Sequence, residues 1–329
     1  MLILNADDVR RALPMRDAIE AMKQAFAALS SGRATVPARA HLQMDRNAGI
    51  SLFMPAYVDS DDPAEQALTI KAVSLFNHNQ SRGLARIQAA VLMLDPATGC
   101  PIALLEGATL TGIRTAAASG AATDLLARQD SHKLAVFGAG VQARTHIEAV
   151  CAVRDIEEIA IYGPTASKVD RLIEEMSDRV SGKLSRGASP HEATRHADIV
   201  CAATTSSTPI FSDADIQPGT HINAVGSYKP VNREIPAATV VRSLVIVDSR
   251  EAAWEEAGDL IQPLEAGQIT RDHIHAELGE IVLGEKLGRT NEDQITLFKS
   301  VGIAVQDAFA AQVTLASAKA TGIGQTVTW

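Results

Sequence analysis

Apolar positions near the start of the chain recur with a helical period: Ile19, Met22, Phe26 and Leu29 stand three or four residues apart, the spacing that gathers one face of an α-helix. This predicts a short helix over 7–13 and a second over 14–29, stopped by Gly32, which takes left-handed backbone at little cost. Between 35 and 106 the rhythm changes to short apolar segments, Val36 to Met44, Ile50 to Tyr57, Ala67 to Phe76, Ile87 to Leu94 and Ile102 to Leu105, with Asp95-Pro-Ala-Thr-Gly99 as a turn. They read as a mostly antiparallel sheet. A helix from Thr109 to Ala127 follows, and its small-residue run 115–123 permits close approach of a neighbouring backbone. From 132 onward strands alternate with helices, at Lys133 to Phe137, Glu158 to Tyr162, Asp198 to Ala202, His221 to Val225 and Leu244 to Val247, the order that builds a parallel, doubly wound sheet. Leu297, Val301, Val305, Phe309 and Val313 predict a last long helix over 293–319, returning to the first domain. The fold class is therefore α/β: a Rossmann sheet at 116–304, plus an α+β domain for substrate and dimerisation, discontinuous in sequence, at 1–115 and 305–329.

Composition narrows the classes. The 329 residues are 46% hydrophobic and 21% charged, enough for one large or two ordinary cores rather than a disordered chain. A formal net charge of −9 argues against a nucleic-acid or anionic-membrane partner, which needs excess Lys and Arg. The first residues lack a basic segment followed by an apolar core, and no apolar run approaches the ~18 residues of a membrane span, so a cytoplasmic protein is expected. Cys100, Cys151 and Cys201 are too few and too scattered for a disulfide framework or zinc ribbon, and are expected as buried or half-buried thiols.

Gly138-Ala-Gly140-Val-Gln-Ala143 follows the apolar strand 133–137 and opens a helix. In that context it is a dinucleotide loop: Gly138 makes the turn, Gly140 lets backbone approach the pyrophosphate, and Ala143 takes the third glycine's place where helix and strand pack. Val141 and Gln142 start the helix whose free amides and dipole favour an anion. An NAD site would place an acid after the second strand to hold the ribose hydroxyls. Here stands Tyr162-Gly-Pro-Thr165-Ala-Ser167-Lys168, hydroxyls and an ammonium suited to a 2′-phosphate, so NADP(H) is favoured over NAD(H). Thr165 could instead cap the helix, with Lys168 a solvated charge.

The order Val36-Pro-Ala-Arg39, Phe53-Met-Pro-Ala-Tyr57, Lys71, Thr111-Gly-Ile-Arg114-Thr-Ala-Ala117, the nucleotide loop and Val247-Asp-Ser249 resembles the ornithine cyclodeaminase and mu-crystallin family over essentially the whole chain. The resemblance implies a homodimer whose first domain supplies substrate groups, and hydride exchange at a carbon bearing nitrogen and carboxylate. It makes Arg39 and Arg114 carboxylate-binding arginines, a role that suits a planar fork, and Lys71 a substrate-site lysine. Lys71 interrupts an apolar strand, where burial lowers an ammonium's pKa; it either binds the carboxylate or, as the catalytic residue, donates a proton to the imine nitrogen. Further cofactor contacts are expected from Thr115, from Thr204 at the start of the loop holding Ser206-Ser207-Thr208, from Ser227, and from Val301 near the nicotinamide.

One position departs from the cyclodeaminases of that family. Where they place an Asp to move protons at the substrate nitrogen, Asn223-Ala-Val-Gly-Ser227 carries a hydroxyl, which is no general base near neutrality. The expected reaction is thus reduction of a preformed cyclic imine, Δ1-pyrroline-2-carboxylate or its six-membered piperideine analogue, to L-proline or L-pipecolate. The alternatives are ornithine cyclodeamination, with Asp248 or Glu251 substituting, alanine dehydrogenation, and a crystallin-like ligand binder without turnover. Asp248 ends a strand and is expected to orient a loop, while Glu255, Glu256 and Asp259 read as a solvated helical face. His191, His196, His273 and His275 have no completing carboxylate set, and no metal is expected.

Overall fold

The computed structural model describes residues 1–63 and 65–328, and the chain divides into two compact units, 1–114 with 303–329 and 115–302. The first unit begins with β1 (Leu2–Leu4), α1 (Ala6–Ala12) and α2 (Met15–Ser30). Asn5 starts α1 through a reciprocal cap, its Oδ1 accepting from the Asp8 amide at 3.0 Å while Asp8 accepts from the Asn5 amide at 3.2 Å. Then come β2 (Ala34–Thr35), β3 (Ala40–Met44), β4 (Gly49–Val58), β5 (Ala67–Phe76), β6 (Ile87–Leu94) and β7 (Pro101–Glu106). The segment Val36 to Met44 is not one strand. Residues 36–39, with Pro37 lacking a ladder donor, separate β2 from β3, and each pairs with a different end of β4. Helix α3 (Gly107–Leu126) leads out of this sheet and into the second unit's sequence.

The second unit holds β8 (Lys133–Phe137), α4 (Val141–Val153), β9 (Glu158–Tyr162), α5 (Ala166–Met176), β10 (Lys183–Arg186), α6 (Pro190–Thr194), β11 (Ile199–Ala202) and β12 (His221–Ala224). It continues with α7 (Ala237–Arg242), β13 (Leu244–Val247), α8 (Arg250–Glu256), α9 (Gly258–Glu265), β14 (Ile274–Glu277), α10 (Leu278–Val282) and β15 (Thr296–Lys299). Every ladder of this sheet is parallel, in the order β10-β9-β8-β11-β12-β15-β13-β14. The order reverses between β8 and β11, the switch point at whose carboxyl edge such sheets bind ligands. Small residues let α3 approach the sheet, and Asn223 on β12 donates to Thr123 Oγ1 at 2.9 Å.

The chain closes with α11 (Ala304–Thr321) and β16 (Gln325–Thr326). This corrects the expected helix over 293–319. Leu297 lies in β15, all four of whose residues are buried between β12 and β13, and Val301 lies in the bend that follows, where Gly302 has φ +82°. A short strand buried on both faces has no alternation to betray it, and Leu297 and Val301 happen to continue the helix's own four-residue spacing. In the first unit, β4 to β7 are antiparallel, β1 joins β7 in parallel, and α11 lies on α2, β4 and β5. The covered face of that sheet buries Met54, Ala56, Thr69, Lys71, Val91 and Leu105. Its other face carries Phe53, Pro55, Ile70, Leu92, Ile102 and Leu104, which stay half-buried or exposed.

Candidate active site

Lys71 sits in mid-β5, opposite Met54 on β4 and Val91 on β6, and is 1% exposed. Placing an ammonium on that apolar face requires compensation. It comes from Asp307 on α11: Nζ lies 2.6 Å from Oδ2, an ion pair off the line of an ideal hydrogen bond. Arg114, the last residue of α3 within the first unit, donates from Nε to Asp307 Oδ1 at 3.0 Å and from Nη1 to Gln306 Oε1 at 2.7 Å. Gln306 Oε1 also accepts the Ile303 amide at 3.2 Å, so the amide's orientation is set by two donors. Burial pulls the Lys71 pKa down, Arg114 adds to that, Asp307 opposes it, and Arg39 lowers it further, leaving it at about 8. For Asp307, burial alone would raise the carboxyl pKa, but Arg114 and Lys71 hold it below the usual range.

Gln306 Nε2, Thr69 Oγ1 and Thr111 Oγ1 are buried with no hydrogen-bond partner among the described residues. Thr69 shares the covered face of β5 with Lys71, and Thr111 precedes Arg114 by three positions on α3. An unmet buried polar group costs about 1–3 kcal/mol, so each of these atoms, on the elements that carry Lys71, Arg114 and Asp307, is suited to a polar partner. Lys71 and Arg114 share the single carboxylate of Asp307, two cations on one anion, an arrangement that suits a further anion. Asp307 and Gln306 went unnoticed in the sequence. The one available signal was that they interrupt an otherwise apolar stretch, 304–311, with two polar residues that are both buried.

The second unit carries the nucleotide loop. Gly138 has φ +112°, and a Cβ there would stand 2.5 Å from the Ala203 carbonyl oxygen, so the loops after β8 and β11 meet as closely as glycine allows. Around Gly140 a Cβ would find nothing within 4 Å, and Gly140 caps α4 without any side-chain bond, leaving the first-turn amides open. Ala143 is fully buried. Val141 is exposed, and the buried Gln142 Oε1 is unpartnered. These features fit a dinucleotide's pyrophosphate. After β9, Tyr162 is half-buried, while Thr165, Ser167 and Lys168 are exposed; Thr165 makes no side-chain capping bond, so its hydroxyl is not used by the helix.

Around the ends of β11, β12 and β15 a buried ionic network fixes the remaining loops. Glu234, fully buried, accepts from the Thr204 amide and hydroxyl, both at 2.7 Å, and from the Ser227 amide at 2.9 Å. Burial and then Asp259 raise its pKa, against Lys299 and the Thr204 bonds. Asp259 accepts the Glu234 and Ile235 amides at 2.7 and 2.9 Å and the Lys299 ammonium at 2.9 Å, and Lys299 also donates to the Ser227 carbonyl. This overturns the solvated-face reading for Asp259, which is 0% exposed; Glu255 is exposed and Glu256 half-buried, because the turn at Ala257 swings α9 inward from α8. Ser227 donates from Oγ to the Asn232 carbonyl at 2.6 Å. Asp248 gathers the Ser300 hydroxyl and the Val301 and Gly302 amides on one oxygen, at 2.8, 2.9 and 2.7 Å, the loop-orienting part expected of it.

Several remaining groups are structural. The Ser206 hydroxyl donates to the Thr208 carbonyl at 2.6 Å and accepts the Thr208 amide at 3.2 Å, closing a turn. His191 pairs with Asp215 at 2.6 Å, and His273 and His275 each bond a carbonyl at 2.8 Å. His146 and His221 are pushed by burial to about 4 and about 3 and are neutral near pH 7. Cys201 is buried and Cys151 half-buried, but Cys100 is exposed, against expectation, because the turn 95–100 carries it away from the sheet. No group of three His, Cys, Asp or Glu side chains among the described residues is placed to hold a metal, and no helix among them is long and apolar enough to cross a membrane.

A doubly wound parallel sheet with an open glycine loop at its switch point, in a chain that also buries a lysine and an arginine about one carboxylate, defines a nicotinamide-nucleotide-dependent oxidoreductase. The chain belongs to the ornithine cyclodeaminase/mu-crystallin family, whose model matches residues 1–322. It is 38% identical over 328 residues, 99% of either chain, to the Δ1-pyrroline-2-carboxylate reductase of Bacillus cereus. Among solved structures it resembles the Δ1-pyrroline-2-carboxylate reductase of Thermococcus litoralis in complex with NADH and L-proline, with TM-score 0.94 and 42% identity over 99% of this chain and 100% of that one. It also resembles an archaeal alanine dehydrogenase dimer with bound NAD, with TM-score 0.91 and 29% identity over 100% and 99%.

Proposed function

We propose that this protein reduces Δ1-pyrroline-2-carboxylate to L-proline with a reduced nicotinamide nucleotide, taking the piperideine analogue by the same chemistry. The observation that carries the reading is the buried Lys71 and Arg114 pair on Asp307, a cationic seat for the carboxylate of a small imino acid. The substrate carboxylate binds Arg39, Lys71 and the free edge of the Arg114 guanidinium. The cofactor, when bound, supplies a hydride to the imine carbon. The nitrogen then needs one proton, and Lys71, protonated below its pKa of about 8, is the group to give it. Ser227 sets the reaction apart from cyclodeamination: its hydroxyl is committed to the Asn232 carbonyl and supplies no carboxylate for proton removal.

The relatives with bound nucleotide hold NADH and NAD; for this chain we infer a preference for NADP(H), because Thr165, Ser167 and Lys168 are exposed after β9 and no acid stands among residues 163–168. The expected result is oxidation of NADPH on adding pyrroline-2-carboxylate, with kcat/KM roughly tenfold or more above that with NADH, the worth of one charge-assisted contact to a 2′-phosphate. No oxidation of either nucleotide removes the reductase reading, and equal or better use of NADH removes the cofactor preference. We further infer a homodimer through the apolar sheet face that carries Phe53, Ile70, Leu92 and Leu104, as the archaeal alanine dehydrogenase relative is a dimer. A contiguous apolar face of this kind marks an interface. Light scattering is expected to give twice the chain mass at micromolar concentration, and Leu92→Glu to give monomers; a wild-type monomer refutes the interface.

A further inference from the structure

Asp307 lies outside the expected substrate set of Arg39, Lys71 and Arg114, yet it is the group that makes the set physically possible. Lys71 is faced by Asp307 from α11, Arg114 from α3 and Arg39 from the segment before β3, with the apolar Met54 and Val91 on the flanking strands. Without the carboxylate, the Lys71 ammonium would face the Arg114 guanidinium beneath an apolar sheet face with nothing from α11 to offset it, and the ammonium, the one that can lose its charge, would do so. Asp307 divides its two oxygens, Oδ2 towards Lys71 at 2.6 Å and Oδ1 towards Arg114 at 3.0 Å. Gln306 occupies Arg114 Nη1, so that Nη2 is the guanidinium corner left for a ligand.

We propose that Asp307 is a positioning residue for imine reduction: its buried carboxylate keeps Lys71 charged at working pH and holds Lys71 and Arg114 in one fixed arrangement, with the Arg114 Nη2 corner turned to the substrate carboxylate. The proposal rests on the reductase reading for its substrate but not for the charge state of Lys71. A neighbouring carboxylate favours the protonated amine, so its removal lowers the Lys71 pKa. Reduction needs protonated Lys71, whether as cation or as proton donor, and activity therefore falls as pH rises through that pKa.

The test compares wild type, Asp307→Asn and Asp307→Glu. Asparagine keeps an acceptor for Arg114 and removes the charge; glutamate keeps the charge. Two readouts are taken from pH 6 to 10: kcat/KM for pyrroline-2-carboxylate at saturating nucleotide, and the 15N signal of Lys71 Nζ, assigned with Lys71→Arg. In D307N the alkaline limb is expected to move down by about one pH unit or more, a loss of roughly fivefold or more at pH 8 beyond that at pH 6, and the Lys71 titration to move with it, while the nucleotide KM holds. In D307E the limb stays near its wild-type position. A folded D307N whose limb and Lys71 titration remain in place overturns the proposal, even if its rate is uniformly lower. So does a wild-type Lys71 that is neutral at pH 7, a measurement independent of whether any variant folds. Because the 15N titration requires no turnover, it decides the role of Asp307 even if pyrroline-2-carboxylate proves not to be a substrate.

Discussion

Replacing Lys299 by methionine is expected to destabilise the second unit by about 3–5 kcal/mol, the cost of breaking a fully buried ion pair from one side. Lys299 and Asp259 are both 0% exposed and 2.9 Å apart, and Glu234, also fully buried, is linked to them through its own amide on Asp259. Methionine fills most of the lysine's volume, so the loss is electrostatic rather than a cavity. It leaves the Asp259 carboxylate with two backbone amides and no cation, and strips the Ser227 carbonyl of its donor. In thermal unfolding this corresponds to a fall in Tm of roughly 10 °C for a unit of this size. Asp259→Asn in the Lys299→Met background is expected to recover much of the loss, since asparagine still accepts the Glu234 and Ile235 amides but carries no charge. A single variant melting within about a degree of wild type would show that the network contributes little. Activity would fall as well, because this network holds the Thr204 and Ser227 backbone at the carboxyl edge of the sheet.

What the sequence made legible was local, and what it concealed was long-range. The nucleotide loop is a matter of φ at Gly138 and room at Gly140, both carried by consecutive residues after a strand, and the backbone there has the left-handed turn and the open space that the glycines imply. Lys71 was legible for a related reason: an ammonium in a ten-residue apolar strand contradicts its surroundings. Its partner was not, because Arg114 and Asp307 are 193 positions apart, and in a single sequence Asp307 looks like any polar residue in a helix. Asp259 misled in the same way: read along α8 and α9 it continues a run of acids, and only the inward turn at Ala257 and the distant Lys299 on β15 make it internal. The strand β15 was hidden by phase, with Leu297 and Val301 spaced as if they belonged to α11. Buried carboxylates thus mark the places where tertiary contacts override local pattern, and in both units they lie next to the residues singled out for chemistry.

Arg114→Ala is expected to lower kcat/KM for the imino acid by roughly 10³, with nucleotide binding unchanged, the scale of losing a buried, hydrogen-bonded charge together with its ligand contact, about 4 kcal/mol. Arg114→Lys is expected to recover little of it. The guanidinium directs Nε to Asp307 and Nη1 to Gln306 in fixed directions, which one ammonium on a flexible stem cannot satisfy together. The residual activity carries a further mark. Arg114 lowers the Lys71 pKa, second only to burial among its causes, so removing it raises that pKa and extends the residual activity to higher pH. Removal of the Asp307 charge acts on the same ammonium with the opposite sign. A pair of substitutions on one ion cluster that move the alkaline limb in opposite directions is hard to obtain from general loss of structure, which would lower rates without moving the limb. If Arg114→Ala retained wild-type kcat/KM, the carboxylate seat would have to lie elsewhere. If it lost activity with the alkaline limb unmoved, the titrating group would be something other than Lys71.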